Sequence, residues 1–467
     1  MHVVFATAEI EPIVSTGGLG AASFGLVNAL RRTGVEVTIV VPAYAPWDLP
    51  EERIVPLAVP AWVGQARARI GVHPAVGRIA MIEAPTIERP HPYVDPATGQ
   101  GWGDNDHRFF AWSAAVGALC HDLRSSGERV DVVHVNDWHA ATTLAHLDES
   151  FRTVLSIHNL AHQGWGGLGW MDALGHRGAA FVERGAVNAL SGAVRLAERI
   201  VAVSPTYANE IRTFEGGMGM DALLRDRGDA VVGILNGIDV DDWNPATDEA
   251  LVSRFSVDDL ESRSANHPAL CAELGLEVGP GPLVVSVSRF DGQKGIDMIP
   301  EVSHLLARIP TRMAFLGSGD KATEAAMSGV AAWNPGRIAF RQGFDAALAH
   351  RMFAAADFAI VPSRFEPCGL TQMQAMRYGA LPIVSDVGGL HDTVVDVDDQ
   401  PRRGVGVKLH AVSGAGIVDG VHRAARLFSN RARFERVRRR AMSLDWSWDG
   451  PALRYRDLYG ELSVNSG

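Results

Sequence analysis

Arg289 and Lys294 stand close together in SRFDGQKG, at the end of the apolar run LVVSVS at 283–288. Two fixed cations at the end of a buried strand can neutralise a diphosphate leaving group without a metal, although a solvated surface charge is the commoner fate of a single Lys or Arg. Lysine is scarce, since Lys294, Lys321 and Lys408 are the only lysines among 43 basic residues. Its retention at 294 favours a role, because arginine and lysine differ in geometry and hydration. The densest signal is PSRFEPCGLTQMQAMRYG at 362–379, followed by LPIVSDVGGLHDTV at 381–394. Glu366 would stand at a strand end beside the amides of Cys368, Gly369, Leu370 and Thr371, a set able to hold hydroxyls and phosphate. A nucleophilic Cys368 would need a partner base, but its motif holds no histidine and small buried cysteines are common.

Near the N-terminus, Ser15-Thr16-Gly17-Gly18-Leu19-Gly20 leads from the first strand into a helix. Glycines there let the backbone approach phosphate or sugar oxygens, or simply make a tight turn. The loop is neither a dinucleotide fingerprint nor a phosphate loop ending in Gly-Lys-Ser/Thr. His158 in SIHNLAHQG follows another strand, and that position favours a site over a buried structural histidine. Asp239-Val240-Asp241 and Asp396-Val397-Asp398 imitate a metal-binding acidic pair. They read as solvated loops, because three-residue matches arise by chance and no third ligand is evident, so no metal site is expected.

These groups need a scaffold of buried strands. Runs at 3–7, 35–41, 130–135, 153–157, 199–203 and 231–235 are β-branched and apolar, with helical patterns such as 22–31 and 109–122 between them. The alternation predicts a parallel sheet covered on both faces. The pattern restarts at 283–288, 312–317, 337–341, 358–362, 381–385 and 404–409. Two α/β domains are therefore expected, 1–240 and 241–445, with a hinge near 239–245 and the segment 446–467 packing back on the first. Polar residues, including Asn136-Asp137-Trp138-His139 and Asn236-Gly237, collect where strands end, which is where open parallel sheets bind ligands. Such ends facing each other across a cleft would suit a two-substrate enzyme.

Composition narrows the partners. Of 467 residues 47% are hydrophobic, but no apolar run approaches the ~18 residues of a membrane span, so no membrane partner is expected. A net charge of −11 opposes nucleic-acid binding. Three scattered cysteines and the lack of a leader pattern point to a reducing cytoplasm.

Together the motifs resemble the bacterial glycogen and plant starch synthases, which are retaining glycosyltransferases. The likeness runs through TGGLG at 16–20, DN at 104–105, NDWHA at 136–140, SIHNLAHQG at 156–164, AVSPTYANEI at 202–211, ILNGID at 234–239, SRFDGQKG at 288–295, LGSGD at 316–320, the run at 362–394 and LDWSW at 444–448. The resemblance implies the GT-B fold, two Rossmann-like doubly wound domains facing across a cleft. It implies a nucleotide-diphosphate sugar as donor substrate, a saccharide acceptor, and neither cofactor nor metal. By it, Arg289 and Lys294 hold the diphosphate, Phe344 lies against the base, and Glu366 with Gly388 and Gly389 meets the sugar hydroxyls. The amides of Cys368, Gly369, Leu370 and Thr371 help with phosphate and ribose. Thr16, Gly17 and Gly18 belong to the loop that approaches the pyrophosphate, Asn236 supports the donor, His158 sits near the anomeric carbon, and Asp137 lies toward the acceptor.

Some positions depart from the family. Ser15 stands where the family has lysine before Thr-Gly-Gly, and Ala21 where an aspartate is usual. Ser191 replaces an acceptor-side lysine, Ser385-Asp386-Val387 replaces an arginine-bearing stretch, and Gln374 replaces the second glutamate of many related transferases. Loss of cations and gain of Asp386 would make the cleft more acidic, suiting a neutral or amine-bearing partner. The expectation is a specialised enzyme moving a hexosyl or sugar-like cyclitol group to a small saccharide or aminosugar, with an ordinary ADP-glucose-dependent α-1,4-glucan synthase as the alternative and a catalytically silent saccharide-binding relative as the third. The Gly/Trp-rich stretch 164–170 would line a small acceptor pocket or form a packed surface loop.

Overall fold

Every strand-like run noted above forms a strand in the computed structural model, which describes residues 1–45, 49–50 and 52–464. The chain divides into two compact units, Met1–Gly237 with Trp448–Gly467, and Ile238–Ser447.

The first unit contains β1 His2–Ala6, β2 Glu36–Pro42, β3 Arg53–Leu57, β4 Ala66–His73, β5 Gly77–Glu83, β6 Val132–Asn136, β7 Arg152–Ile157, β8 Trp165–Gly166, β9 Val182–Glu183, β10 Ala186–Asn188, β11 Arg199–Ala202 and β12 Val231–Gly233. Nine of these form one sheet in the order β12-β11-β7-β6-β1-β2-β5-β4-β3, and β8, β10 and β9 form a small second sheet. The sheet is parallel from β12 to β5, but β4 runs antiparallel to both of its neighbours, β5 and β3. That meander departs from the wholly parallel reading. Its signal is the period-2 alternation of Ala66-Arg67-Ala68-Arg69-Ile70, with alanines and Ile70 buried and Arg67 exposed. An antiparallel edge can keep one face in water, and Arg67 and Arg69 meet Glu83 and Glu52 there.

The terminal helix Asp449–Val464 belongs to this unit. Trp448, Tyr455, Leu458 and Tyr459 are buried in one apolar cluster with Val3, Phe5, Leu26 and Leu30. The contact is close: a Cβ on Gly25 would fall 2.0 Å from the Trp448 indole nitrogen. His134 of β6 bonds the Tyr459 hydroxyl at 2.7 Å and the Ser156 hydroxyl of β7 at 2.7 Å, which satisfies both ring nitrogens inside the core.

The second unit holds β13 Leu283–Val287, β14 Arg312–Gly317, β15 Ile338–Gln342, β16 Phe358–Val361, β17 Leu381–Val384 and β18 Val407–Lys408, all parallel in the order β15-β14-β13-β16-β17-β18. Its two faces are covered by separate apolar clusters, one around Phe315, Phe358 and Phe434 and the other around Phe353, Tyr378 and Met442. Burial on both sides explains why these strands read as unbroken apolar runs. The polar stretch 239–280 carries the helix Asn266–Leu274 and lies in this unit. Among the described residues no helix is long and apolar enough to cross a membrane.

Candidate functional site

In the first unit the polar groups gather where β1, β6 and β7 end. Asp137 directly follows β6 and has a left-handed backbone, φ 54°. An aspartate tolerates that conformation better than most residues. Its buried Oδ1 accepts the amide of His158 at 2.7 Å and that of Asn159 at 3.4 Å, so it shapes the turn after β7. The side chain of His158 bonds Asn136 Oδ1 at 3.0 Å, and Asn136 Nδ2 donates to the Ala6 carbonyl at 3.0 Å. That second bond fixes the Asn136 amide with its oxygen toward the ring. His158 therefore carries its proton on Nε2 and leaves Nδ1 as an acceptor.

Burial decides the charge states here. It pushes the Asp137 carboxyl up to about 7, against the pull of the two amides. It lowers His158 to about 4 and His134 to about 3, and holds His139 well below its ordinary range. Near neutral pH the three imidazoles are uncharged, so His158 offers dipole and shape rather than a cation.

These shifts set an acid dependence. The unfolded chain protonates its histidines below about pH 6.5. The folded one resists until near pH 4, so unfolding takes up protons between these limits and stability falls as pH falls. Asp137 acts oppositely: its native carboxyl keeps a proton up to about 7, while an unfolded one loses it near 4, so its contribution falls as pH rises. Three histidines outweigh one carboxyl. The melting temperature should drop on acidification from pH 6.5 to 4.5, and more steeply in Asp137→Asn; a flat profile would contradict the burial of these rings.

The other first-unit candidates are engaged locally. The amides of Thr16 and Gly17 donate to Glu9 Oε2 at 2.6 and 3.2 Å, and Gly18 begins the helix Gly18–Arg32. These two amides are thus occupied by a carboxylate of the chain itself, a partner that the loop pattern did not reveal. Asn236 is buried beyond β12, its amide reaching the Val203 carbonyl at 3.4 Å. Ser15 Oγ donates to Glu11 at 3.0 Å. Ser191 is buried in the first turn of the helix Ala189–Leu196, where its amide donates to the Asn188 side chain at 2.9 Å and its hydroxyl to the Asn188 carbonyl at 3.1 Å. The 164–170 stretch is mostly exposed, with Trp165 and Leu168 at 48% and 49%; Trp165 pairs with Asn188 of β10, while Trp170 donates to Asp106 at 2.9 Å and packs on Trp62.

In the second unit Lys294 and Glu366 meet. The ammonium lies 2.7 Å from Glu366 Oε2, which also accepts the Ser363 hydroxyl at 2.8 Å. Lys294 follows β13 and Glu366 follows β16, so two neighbouring strands place the pair. A buried carboxylate orients the ammonium and is itself oriented by Ser363. The Glu366 carbonyl accepts the Gly389 amide at 3.0 Å, and a Cβ on Gly389 would sit 1.9 Å from the Cys368 carbonyl oxygen, so only glycine lets these two turns close. Gly388 and Gly369 have φ 43° and 72°. Leu370 caps the helix Thr371–Arg377. Cys368 is buried, consistent with a packing role for its side chain.

A residue that pattern reading overlooked ties this region together. Buried Gln372 donates to the Gly369 carbonyl at 2.6 Å and the Thr393 hydroxyl at 3.0 Å, and Thr393 donates to the Gly389 carbonyl at 2.7 Å. Its only sequence cue was its place within the densest motif. Arg289 is 57% exposed on its side chain and pairs with Asp291 at 3.0 Å, and Phe344 is 87% exposed. Neither is packed in place.

Two expectations change. Asp386 does not add an unbalanced charge, because Lys408 lies 2.7 Å away and His391 also 2.7 Å away. Asp396 and Asp398 are not a solvated loop: Asp396 is buried against Arg423 at 2.7 Å, and Asp398 meets Arg423, Arg426 and Arg433. Asp239 instead accepts the amides of Asp241 and Asp242 in a local turn. Among the described residues no group of three His, Cys, Asp or Glu side chains is arranged to hold a metal ion.

The profile of the starch synthase catalytic domain matches residues 2–226, and that of glycosyl transferases group 1 matches residues 281–410. The glycogen synthase of Acidiphilium cryptum is 40% identical, the alignment covering 99% of this chain and 100% of that protein. The chain belongs to the glycogen synthase family. The glycogen synthase of Novosphingobium aromaticivorans is 39% identical, with 99% of each chain covered. Among solved structures, the catalytic domain of starch synthase IV from Arabidopsis thaliana, bound to ADP and acarbose, is similar with a TM-score of 0.89 at 31% identity over 99% of each chain. Sucrose-phosphate synthase from Thermosynechococcus elongatus, at 18% identity and a TM-score of 0.63, shares the fold. This glycogen synthase family member is a glycosyltransferase with the GT-B fold, as its motifs implied.

Proposed function

We propose that the protein is an ordinary α-1,4-glucan synthase that transfers glucose with retention from ADP-glucose to a growing glucan. The observation that carries this reading is full-length similarity to proteins named glycogen synthase, combined with an intact Lys294–Glu366 pair. The ADP and acarbose held by the starch synthase IV domain support a nucleotide diphosphate and a saccharide as the bound classes.

In this reading Lys294 and Arg289 stabilise the charge that develops on the leaving diphosphate as the glycosidic bond lengthens. Glu366 aims the Lys294 ammonium, and the Gly388–Gly389 turn lets sugar hydroxyls approach the backbone. The exposed Phe344 closes on the base. Neutral His158, with Nδ1 unprotonated, accepts rather than repels near the reacting sugar. The acceptor hydroxyl attacks from the face that the diphosphate leaves, passing through an oxocarbenium-like state.

Two of the departures that favoured a specialised cyclitol or aminosugar transferase have local explanations. Ser191 is absorbed in a helix cap, and Asp386 is balanced by Lys408. The comparisons favour the glucan synthase over that reading and over a silent relative. Incubation with labelled ADP-glucose and glycogen should give label in polymer that β-amylase releases, with ADP as co-product. Label transferred only to small saccharides or amines, with glycogen untouched, would restore the specialised reading.

A further inference from the structure

Glu9 lies past the end of β1 and is 3% exposed. One carboxylate oxygen accepts the Tyr93 hydroxyl at 2.5 Å, and the other accepts the amides of Thr16 and Gly17. Tyr93 is itself anchored, its ring packing on His139 with centroids 4.9 Å apart and on Phe109 at 6.0 Å. Gly17, the residue that caps the helix Gly18–Arg32, has no side chain with which to fix the turn. Glu9 therefore joins the glycine turn to a packed aromatic ring.

We propose that Glu9 is a positioning residue for donor binding: it holds the Thr16–Gly17 turn so that the backbone at Gly18 is presented to the donor diphosphate. This rests on the reading above, in which that loop meets the donor. The role is geometric. A glutamine at position 9 could accept both amides through its oxygen and donate its amide hydrogen to the Tyr93 oxygen, so the link survives without the charge. An aspartate keeps the charge but is one methylene too short to span from Tyr93 to both amides. The rival role is that of an internal anion competing with the diphosphate for the same amides, and removal of the charge would then improve donor binding.

Glu9→Asp and Glu9→Gln separate the two. The readouts are KM for ADP-glucose, KM for glycogen, kcat, melting temperature, and hydrogen exchange at the Thr16 and Gly17 amides. Glu9→Asp should raise the donor KM about tenfold, the scale of one lost hydrogen bond to a charged group. Acceptor KM should stay as in the parent, the melting temperature should fall modestly because a buried hydrogen bond is lost, and the two amides should exchange faster. Glu9→Gln should remain within about twofold of the parent in donor KM, because the link is retained. An unchanged donor KM in Glu9→Asp, or a lower one in Glu9→Gln, overturns the proposal. If the parent transfers nothing from ADP-glucose, the functional reading falls by itself. Exchange then decides the positioning role: faster amides in Glu9→Asp alone support it, and equal rates in all three proteins overturn it.

Discussion

Lys294→Ala should lower kcat by about 10²–10³-fold, the loss expected for one preorganised stabiliser of developing charge. The ammonium sits 2.7 Å from Glu366 and is held there, so no reorganisation is needed when the diphosphate leaves. Its removal does two kinds of harm. It takes away the cation, and it leaves the buried Glu366 carboxylate with Ser363 as its remaining side-chain partner, an anion facing a phosphate. The double variant Lys294→Ala with Glu366→Gln separates these effects, because it removes the stranded charge as well. It should recover melting temperature relative to the single variant without recovering turnover. Initial rates of ADP release with glycogen measure the first quantity. A kcat unchanged in Lys294→Ala would remove this lysine from the mechanism.

Asp137→Ala should cost roughly 10²-fold in kcat, the scale of a misplacement of about 1 Å at the reacting centre, while Asp137→Asn should keep most of it. In the structure Asp137 Oδ1 holds the amides of His158 and Asn159 and so shapes the turn that carries His158. Asparagine can accept the same two amides and tolerates the left-handed backbone at φ 54°. Alanine does neither, so the turn carrying His158 shifts. The pair of variants tests the acceptor-side role that family likeness implied for this carboxylate. A large loss in Asp137→Asn with normal stability would mean that its charge, and not its geometry, serves the reaction.

The fold was legible wherever burial on both faces left unbroken apolar runs, as in β1, β6, β7 and all of the second unit. It was less legible at β3, β4 and β5, where arginines alternate with alanines and one face of the sheet stays in water. The candidate site was proposed from motifs that follow strands, because open parallel sheets bind ligands beyond their strand ends. Its internal wiring was not. Glu9, Tyr93 and Gln372 are tied to the candidate loops through partners that lie far away in sequence or in the neighbouring turn, and spacing carries no trace of such bonds.

The same division holds for charge. Hydrophobic periodicity, a one-dimensional property, marked this chain as an α/β protein, and its ordered motifs carried the resemblance to the glycogen synthases. Tertiary structure decided which groups act as charges. Burial keeps His158 neutral and raises Asp137, while Lys408 cancels Asp386, reversing the acidic reading that sequence departures suggested. Desolvation and ion pairing depend on what folds within a few ångströms of each group, and that distance is set only when strands and turns from remote parts of the chain come together.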